Sequence, residues 1–424
     1  MPVDAKELAH RLRSAREAAR LTQEQVAGHL GVSRSSIAQI ELGNRAVSSL
    51  ELKRLADLYG RDLGAFLADE FDESDALVAL FRVHPEMAED PALNEVLRRC
   101  AVLCREATGL EGLLQLDEKR VLPAEYQLPP PRGRWEAIQQ GEHVASLERR
   151  RLDIGHAPVL DVPGVLEPQG VRCAEVPMPA DISGLFLVGG KIGLCIVVNS
   201  DHHLRRRAFS YAHEYCHLLL DRSRRGNVSR QANRDELVEV RANAFAASFL
   251  LPADGVFEFL RSLGKGEEAR TTATVSTVFE DTEPLVAQHR TAPRSQDVQL
   301  YDLVHLAHRF GVSFEAAVHR LRNLRFVSED EKDRLLAHKE DAATLQRALD
   351  MAEDEKRPDR RSVFRHQFLA LALEAYRREL ISRRKLAELG QLLGLSEENI
   401  SGILRTLGLD GDIVMGPEDV RLPE

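Results

Sequence analysis

Residues 213–217 read HEYCH, and their types and spacing fit a metal-dependent hydrolytic site. On a helix, residues four apart lie on one face, so His213 and His217 can present both imidazoles to one ion. Glu214 projects beside them, where its carboxylate can act as general base toward a water activated by the metal. We predict Zn²⁺ as the cofactor, although such ligands can also hold manganese or iron.

A carboxylate from a later helix can complete this site. Glu239 follows His217 by 239 − 217 = 22 residues and lies in a second predicted helix, residues 234–250. A helix that returns at this range can bring Glu239 to the ion and leave a fourth position for water. Asp235 and Glu236 are the alternative ligands. We predict His213, His217 and Glu239 as the metal ligands and Glu214 as the catalytic residue.

The five cysteines are scattered and contain no CxxC pair, which suits a reducing compartment. Cys100 and Cys104 lie four apart on a predicted helix. A thiolate is a good zinc ligand, so Cys104, with Cys100 as the alternative, is a candidate inhibitory ligand that keeps the enzyme latent. The competing interpretation is inert packing of a buried thiol. Packing is also what we expect of the other three, Cys173, Cys195 and Cys216.

The amino-terminal sequence predicts a helix, a tight turn and a second helix. Thr22 and Gln25 have the spacing of a capping box, and Gly31 can adopt the left-handed turn conformation. Val32 can plug the core between the two helices, and Ser33 can cap the second helix. This organisation is typical of a helix that enters the major groove of DNA.

The outward face of the second predicted helix carries side chains that suit DNA. Arginine can bond guanine, glutamine can bond adenine, and small hydroxyl residues let the helix approach the bases. The predicted DNA-binding residues are Gln23, Ser33, Arg34, Ser35, Ser36, Gln39, Asn44 and Arg45. An alternative is that this domain binds protein or dimerises without recognising a DNA sequence.

Hydrophobic periodicity predicts a mainly α fold with a small β-sheet, of the α+β class. Short β-like runs cover residues 171–176, 184–188 and 193–198, with Gly189 and Gly190 as a turn between the last two. Residues 264–297 are weakly patterned and predict a loop. We divide the chain into a helix-turn-helix domain (1–70), a helical connector (71–132), a zincin-like metallopeptidase domain (133–330) and a carboxyl-terminal helical region (331–424).

The 424 residues carry a net charge of −10, so any contact with nucleic acid must come from local patches. Two arginine-rich runs, residues 205–207 and 222–226, bracket the metal helix and are candidates for binding single-stranded nucleic acid, with solvated surface charge as the alternative. We find neither a signal peptide nor an apolar run of transmembrane length. The expected location is the cytoplasm, with no membrane partner.

The chain resembles two known families. Residues 21–45 are similar to the Cro/repressor-like (XRE) helix-turn-helix family, by which Gln23, Asn44 and Arg45 would contact phosphates. Residues 207–217 (RAFSYAHEYCH), with the stretch 239–252, resemble the ImmA/IrrE-like zinc metallopeptidases, and this likeness extends over about 135–324. The chain also resembles the CapP-like peptidases of antiphage (CBASS-type) operons, and this resemblance supports the Cys104 hypothesis.

These resemblances imply a regulated zinc endopeptidase that cleaves a partner transcriptional repressor and so induces stress or antiphage defence genes. The implied trigger is DNA damage, sensed as single-stranded DNA, and double-stranded DNA would bind the helix-turn-helix. A substrate peptide would pair with residues 184–188 or 193–198. The alternative is a transcription factor whose peptidase-like portion is a non-catalytic sensor.

Overall fold

A computed structural model of the chain describes residues 4–19, 21–59, 63–67, 91–116, 122–189, 192–222, 226–230, 235–265, 270–275, 285–290, 296–351 and 361–409. Helices make up most of these residues, and strands form a four-stranded and a two-stranded sheet. This confirms the predicted mainly α fold with a small sheet.

The amino-terminal helices enclose a core of their own. Thr22 and Gln25 form the predicted capping box at the start of α2, and Gly31 follows α2 with φ at 73°. Ser33 caps α3 by accepting from the backbone of Ser36. The helices are α1 (Ala5–Ala18), α2 (Gln23–Leu30), α3 (Arg34–Glu41), α4 (Ser49–Leu58) and α5 (Leu63–Leu67).

The main sheet has the strand order β1-β3-β2-β4. Its strands are β1 (Val171–Val176), β2 (Ile182–Gly189), β3 (Gly193–Asn199) and β4 (Gly226–Arg230). Strands β1 and β3 are parallel, and the other two pairs are antiparallel. The first three strands match the β-like runs, whereas the sequence did not indicate β4. Of the expected turn, Gly190 lies outside the described residues.

Thirteen further helices of the described chain surround this sheet, together with a 3₁₀ turn at Glu167–Gln169. They are α6 (Pro91–Leu113), α7 (Arg134–Arg151), α8 (Val162–Leu166), α9 (Leu204–Leu220), α10 (Leu237–Leu250), α11 (Ala253–Ser262), α12 (Leu300–Phe310), α13 (Phe314–Asn323), α14 (Glu329–Ala337), α15 (Lys339–Ala348), α16 (Arg361–Arg377), α17 (Arg383–Leu392) and α18 (Glu397–Thr406).

The two faces of the sheet belong to different hydrophobic cores, because side chains alternate along each strand. Phe186 and Ile196 point to the front face, where they pack with α9 and α10. Leu187 and Cys195 point to the back face, where they pack with α6 and with α16 to α18. The helix of the predicted connector and the carboxyl-terminal helices therefore share one core behind the peptidase sheet.

A second sheet lies where the sequence predicted a loop. Strands β5 (Arg270–Val275) and β6 (Leu285–Arg290) pair antiparallel. The loop prediction for 264–297 was wrong for these residues, since threonine and valine favour strands even in a polar context without clear periodicity. Residues 276–284, between the strands, lie outside the described chain.

The same turn joins α2 to α3, α12 to α13, and α17 to α18. In each case a left-handed glycine is followed two residues later by a serine that caps the next helix. The glycines are Gly31, Gly311 and Gly394, with φ of 73°, 65° and 75°, and the serines are Ser33, Ser313 and Ser396. The turn is therefore not particular to the amino-terminal domain.

Candidate metal centre

Helix α9 carries both histidines and holds them against the front face of the sheet. The His217 ring stacks on Phe186 of β2, with ring centroids 5.9 Å apart and planes 14° apart. The opposite side of the helix packs into the front core through Tyr215, Cys216 and Leu219, which are fully buried. The helix cannot rotate without exposing this apolar surface, so its two imidazoles face α10.

Helix α10 is fixed by its close crossing with α7. A Cβ atom at Gly141 of α7 would lie 2.3 Å from the backbone oxygen of Arg241 and 2.8 Å from the backbone nitrogen of Phe245. Only glycine permits this approach. The Arg149 guanidinium, also on α7, donates to the backbone oxygen of Phe249 near the end of α10. Glu239, in the first turn of α10, thereby reaches the histidines.

Three ligand side chains converge between the two helices. His213 Nε2 lies 3.0 Å from Glu239 Oε2, and His217 Nε2 lies 3.2 Å from His213 Nε2 and 3.3 Å from Glu239 Oε1. Zinc with ligands at about 2.0–2.2 Å places tetrahedral ligand atoms about 3.3–3.6 Å apart. The ligand atoms therefore need to move by only a few tenths of an ångström to bind one ion.

The far nitrogen of each imidazole is held by an acceptor. His213 Nδ1 lies 3.0 Å from Asn243 Oδ1, and His217 Nδ1 lies 2.9 Å from Asp221 Oδ2. With the proton on Nδ1, each ring donates to its acceptor and turns the lone pair of Nε2 toward the site. Arg241 Nη2 donates to both oxygens of Asp221, at 2.8 and 2.9 Å. These contacts orient the histidines as metal ligands.

The charges at the site also favour a cation. Glu214, Glu239 and Asp221 are buried with formal charges of −3 together, and Arg241 supplies +1, so these four groups sum to −2. Burial by itself lowers the pKa of His217, but hydrogen bonds with Asp221 and Glu239 outweigh it and raise that pKa to about 10. A divalent ion would supply the positive charge that the carboxylates otherwise draw from a protonated imidazole.

Glu214 is fully buried beside the ligands. A Cβ atom at Gly184 of β2 would lie 3.1 Å from Glu214 Cγ, so the glutamate lies directly against the sheet. Neither carboxylate oxygen has a partner in hydrogen-bond geometry. Burial is the largest effect on the pKa of Glu214 and raises it, while the two nearby imidazoles and the Ser229 hydroxyl on β4 act to lower it. An unpartnered buried acceptor with a raised pKa is suited to taking a proton.

The predicted ligands His213, His217 and Glu239 are thus brought together, with Glu214 adjacent. The alternative ligands are not brought to the site: Glu236 precedes α10 as its N-cap, and exposed Asp235 lies 3.5 Å from Arg134.

The inhibitory role predicted for Cys104, or alternatively Cys100, is corrected by the fold. Both thiols lie in the back core on α6, where they group with Cys195. The histidines lie on the front face, so the sheet separates the thiols from the metal ligands. Sequence spacing could not reveal on which face α6 packs. Cys173, Cys195 and Cys216 are buried, as expected.

Sequence reasoning missed the residues that orient the ligands. Asp221 follows His217 by one helical turn, and Asn243 follows Glu239 by one turn. Each can therefore lie on the same helix face as a ligand, a signal available in the sequence. Arg241 gave no such signal, because its contact with Asp221 joins two helices.

In the arginine run 205–207, one of the three side chains, Arg206, is exposed. Arg205 is buried, and Arg207 pairs with the buried carboxylate of Glu175. In the second run, residues 223–225 lie outside the described chain. Two tyrosines close to the histidines in sequence are also engaged: Tyr211 donates to the backbone oxygen of Ala174, and Tyr215 donates to Glu148.

The predicted substrate pairing with β2 or β3 is also wrong. Strand β3 lies between β1 and β2, and β2 lies between β3 and β4, so both strands already have two partners. Among the described strands of this sheet, the edges are β1 and β4. The reason for the error is β4, which the sequence did not indicate.

On α3, four of the predicted DNA-binding residues are well placed for an external ligand. Ser33, Arg34, Ser35 and Gln39 are exposed or partly exposed, and Ser36 is half-buried. Two predicted phosphate contacts have internal partners: Gln23 Nε2 donates to Glu41 at 2.9 Å, and Arg45 Nη2 donates to Glu51 at 2.7 Å. A third, Asn44, donates to Gln39.

Known family models match two regions of the chain, the one that contains the metal cluster and the amino-terminal helices. Residues 169–322 match the Peptidase M78 family, described as an IrrE N-terminal-like domain, and contain the metal cluster. Residues 7–67 match a helix-turn-helix domain family. No curated protein matches the chain. None of the described helices combines the length and apolarity needed to cross a bilayer.

Proposed function

We propose that the chain is a zinc-dependent endopeptidase that cleaves a partner transcriptional repressor and also binds DNA through its amino-terminal domain. The convergence of His213, His217 and Glu239, with Glu214 unpartnered beside them, carries this proposal. The match to the M78 peptidase family supports hydrolysis of a peptide bond rather than of another substrate. The alternative, a non-catalytic sensor domain, gives no reason for an orphaned buried carboxylate next to the ligand cluster.

Glu214 would perform the proton transfers of the reaction. Its carboxylate accepts a proton from the attacking water and passes it to the nitrogen of the departing amine, so the residue ends in its starting state. Asn243 and Asp221 keep the two imidazoles directed inward. A zinc ion held by His213, His217 and Glu239 would polarise the scissile carbonyl as a Lewis acid and would lower the pKa of a bound water.

A substrate peptide is expected to add to the sheet at β4. This strand pairs with β2 through Gly184 and Ser229, the pair that lies beside Glu214. An extended peptide on the free edge of β4 would form backbone hydrogen bonds and run past the catalytic carboxylate. The other edge strand of this sheet, β1, is separated from β2 by β3.

The helix-turn-helix domain supports action at a promoter. Arg34 and Gln39 on α3 are the side chains we expect to contact bases, with Ser33, Ser35 and Ser36 against the backbone of double-stranded DNA. A peptidase that works beside DNA in the cytoplasm has transcription factors as accessible substrates. Induction of stress or antiphage genes, with single-stranded DNA as activator, rests on the family resemblance described above.

The test is cleavage of the repressor encoded beside this gene by the purified full chain, with and without single-stranded DNA. Wild-type protein should cut the repressor once, and Glu214→Gln should abolish cutting while it still binds zinc, because it changes no ligand. Asp235→Asn, at an exposed carboxylate, is the matched control and should cut normally. Cleavage by Glu214→Gln would refute the base assignment, and altered operator occupancy without any cleavage would favour the sensor alternative.

A further inference from the structure

Three of the five cysteines meet in the back core, separated by the thickness of the sheet from the residues assigned to catalysis. Cys100 and Cys104 lie one turn apart on α6, and Cys195 points toward them from β3. Their sulfur atoms all lie within 4.8 Å of one another. The three are buried, with exposed fractions of 5%, 0% and 0%.

We propose that Cys100, Cys104 and Cys195 form a second metal site, which takes a thiophilic closed-shell ion, Zn²⁺ or Cu⁺, and fastens α6 to the back of the sheet. Zinc–sulfur distances of about 2.3 Å place thiolate sulfurs about 3.8 Å apart around one ion. The cluster therefore needs to contract by at most about 1 Å.

The donor set determines the class of ion. Within the described residues the group offers sulfur alone, and soft thiolate ligands select Cu⁺ and Zn²⁺ over hard cations such as Mg²⁺ or Ca²⁺. Three thiolates suffice for trigonal copper, whereas zinc would take one additional ligand. The catalytic cluster, in contrast, offers only nitrogen and oxygen. The two sites thus differ in chemistry as well as in place.

The surroundings favour one ionised sulfur among the three. Arg172 is the register neighbour of Cys195 on the adjacent strand, and its buried Nε has no hydrogen-bond partner, while its Nη2 is paired with Glu111 at 2.6 Å. Hydrogen bonds from the other two thiols hold the pKa of Cys104 well below its usual range, whereas hydrogen bonding among the thiols and burial raise the pKa values of Cys100 and Cys195. Binding of an ion would release the thiol protons to solvent.

A metal here would connect distant parts of the chain. Helix α6 is the first described element after the amino-terminal domain, and it packs with α16 and α17 as well as with β3. On β3, the residue after Cys195 is Ile196, which faces the front core and pairs with Phe186 beneath His217. An ion at the cysteines would brace the strand layer that supports the metal helix. This proposal does not depend on peptidase activity.

Absorption spectroscopy with Co²⁺ alone can separate the two sites. Thiolate-to-cobalt charge-transfer bands arise only from sulfur ligands, so the catalytic cluster cannot produce them. Reduced, metal-free full chain should develop these bands to one equivalent per chain, and Zn²⁺ or Cu⁺ should remove them. The metal content of the freshly isolated protein then shows which of the two ions the site holds.

Matched variants assign the bands. Cys104→Ala should abolish them, whereas Cys173→Ala, at a buried cysteine of the front core, and His213→Ala, at the catalytic cluster, should retain them. If Cys104→Ala does not fold, the same assignment is tested by loss of the bands in Cys100→Ala and by the ratio of one bound cobalt per wild-type chain. Absence of the bands in reduced wild-type protein, their persistence in folded Cys104→Ala, or a disulfide between two of these cysteines in freshly isolated protein would overturn the proposal.

Discussion

Asp221→Asn should weaken metal binding at the catalytic cluster without removing any ligand. Asp221 accepts a hydrogen bond from His217 Nδ1 and neutralises Arg241. The amide keeps the size of the side chain but changes the charge of Asp221, Glu214, Glu239 and Arg241 together from −2 to −1. Substitution of such an orienting group costs about 10- to 100-fold in metal affinity, or about 1.4 to 2.8 kcal/mol at 1.4 kcal/mol per tenfold.

The assay is competition for Zn²⁺ with a chromophoric chelator, read as the dissociation constant at the catalytic cluster in a background that also carries Cys104→Ala. Asp201→Asn is the control, because this carboxylate is exposed and accepts a hydrogen bond from its neighbour Ser200. A folded Asp221→Asn protein with wild-type zinc affinity would contradict the assigned role, and would mean that His217 is not held by Asp221 when it binds metal.

Three further results are expected. Gly141→Ala should destabilise the fold by about 1–3 kcal/mol, since its Cβ would collide with the backbone of α10; thermal unfolding should show this, and a neutral result would mean that α7 and α10 do not cross so closely. Zinc at about 100 times its dissociation constant should stabilise the chain by about 2.7 kcal/mol, and Glu239→Ala should lose the part due to the catalytic cluster. Arg34→Ala with Gln39→Ala should weaken a specific operator complex by about 1–3 kcal/mol for each base that the two side chains recognise; unchanged gel-shift affinity would favour a protein-docking domain.

The chain offers controls for two of these experiments. Gly109→Ala lies inside α6 with no atom within 4 Å of the added Cβ, so it should leave stability unchanged or raise it slightly. Glu397→Ala with Glu398→Ala changes the first turn of α18, which follows the same glycine-serine turn as α3 but presents acidic side chains. This pair should not weaken the operator complex.

Local chemistry was predictable from neighbouring residues. The capping box at Thr22 and the turn at Gly31 depend on backbone contacts within a few residues, and they form as expected. The same holds for the pairing of His213 with His217, because one helical turn fixes their separation whatever the rest of the chain does. The prediction that Glu239 is a ligand spanned a longer stretch of sequence. It succeeded because the His pair already indicated a metal site and a predicted helix at suitable distance carried the carboxylate.

Other features depended on long-range packing and could not be predicted from neighbouring residues. Strand β4 occupies the edge of β2 and moves the expected peptide site outward. Gln23 and Arg45 find acidic partners that an isolated helix would not have. Both features depend on contacts between segments that are distant in sequence, so no local sequence pattern predicts them.

The cysteines show most clearly the difference between what local sequence predicts and what long-range packing determines. That Cys100 and Cys104 lie on one helix face follows from their spacing, since helical geometry is local. That this face meets Cys195 rather than His217 follows from long-range packing, because it depends on which side of the sheet α6 buries its apolar surface. That choice is made by the summed burial of α6, α16 and the back of the sheet, which no short stretch of sequence contains.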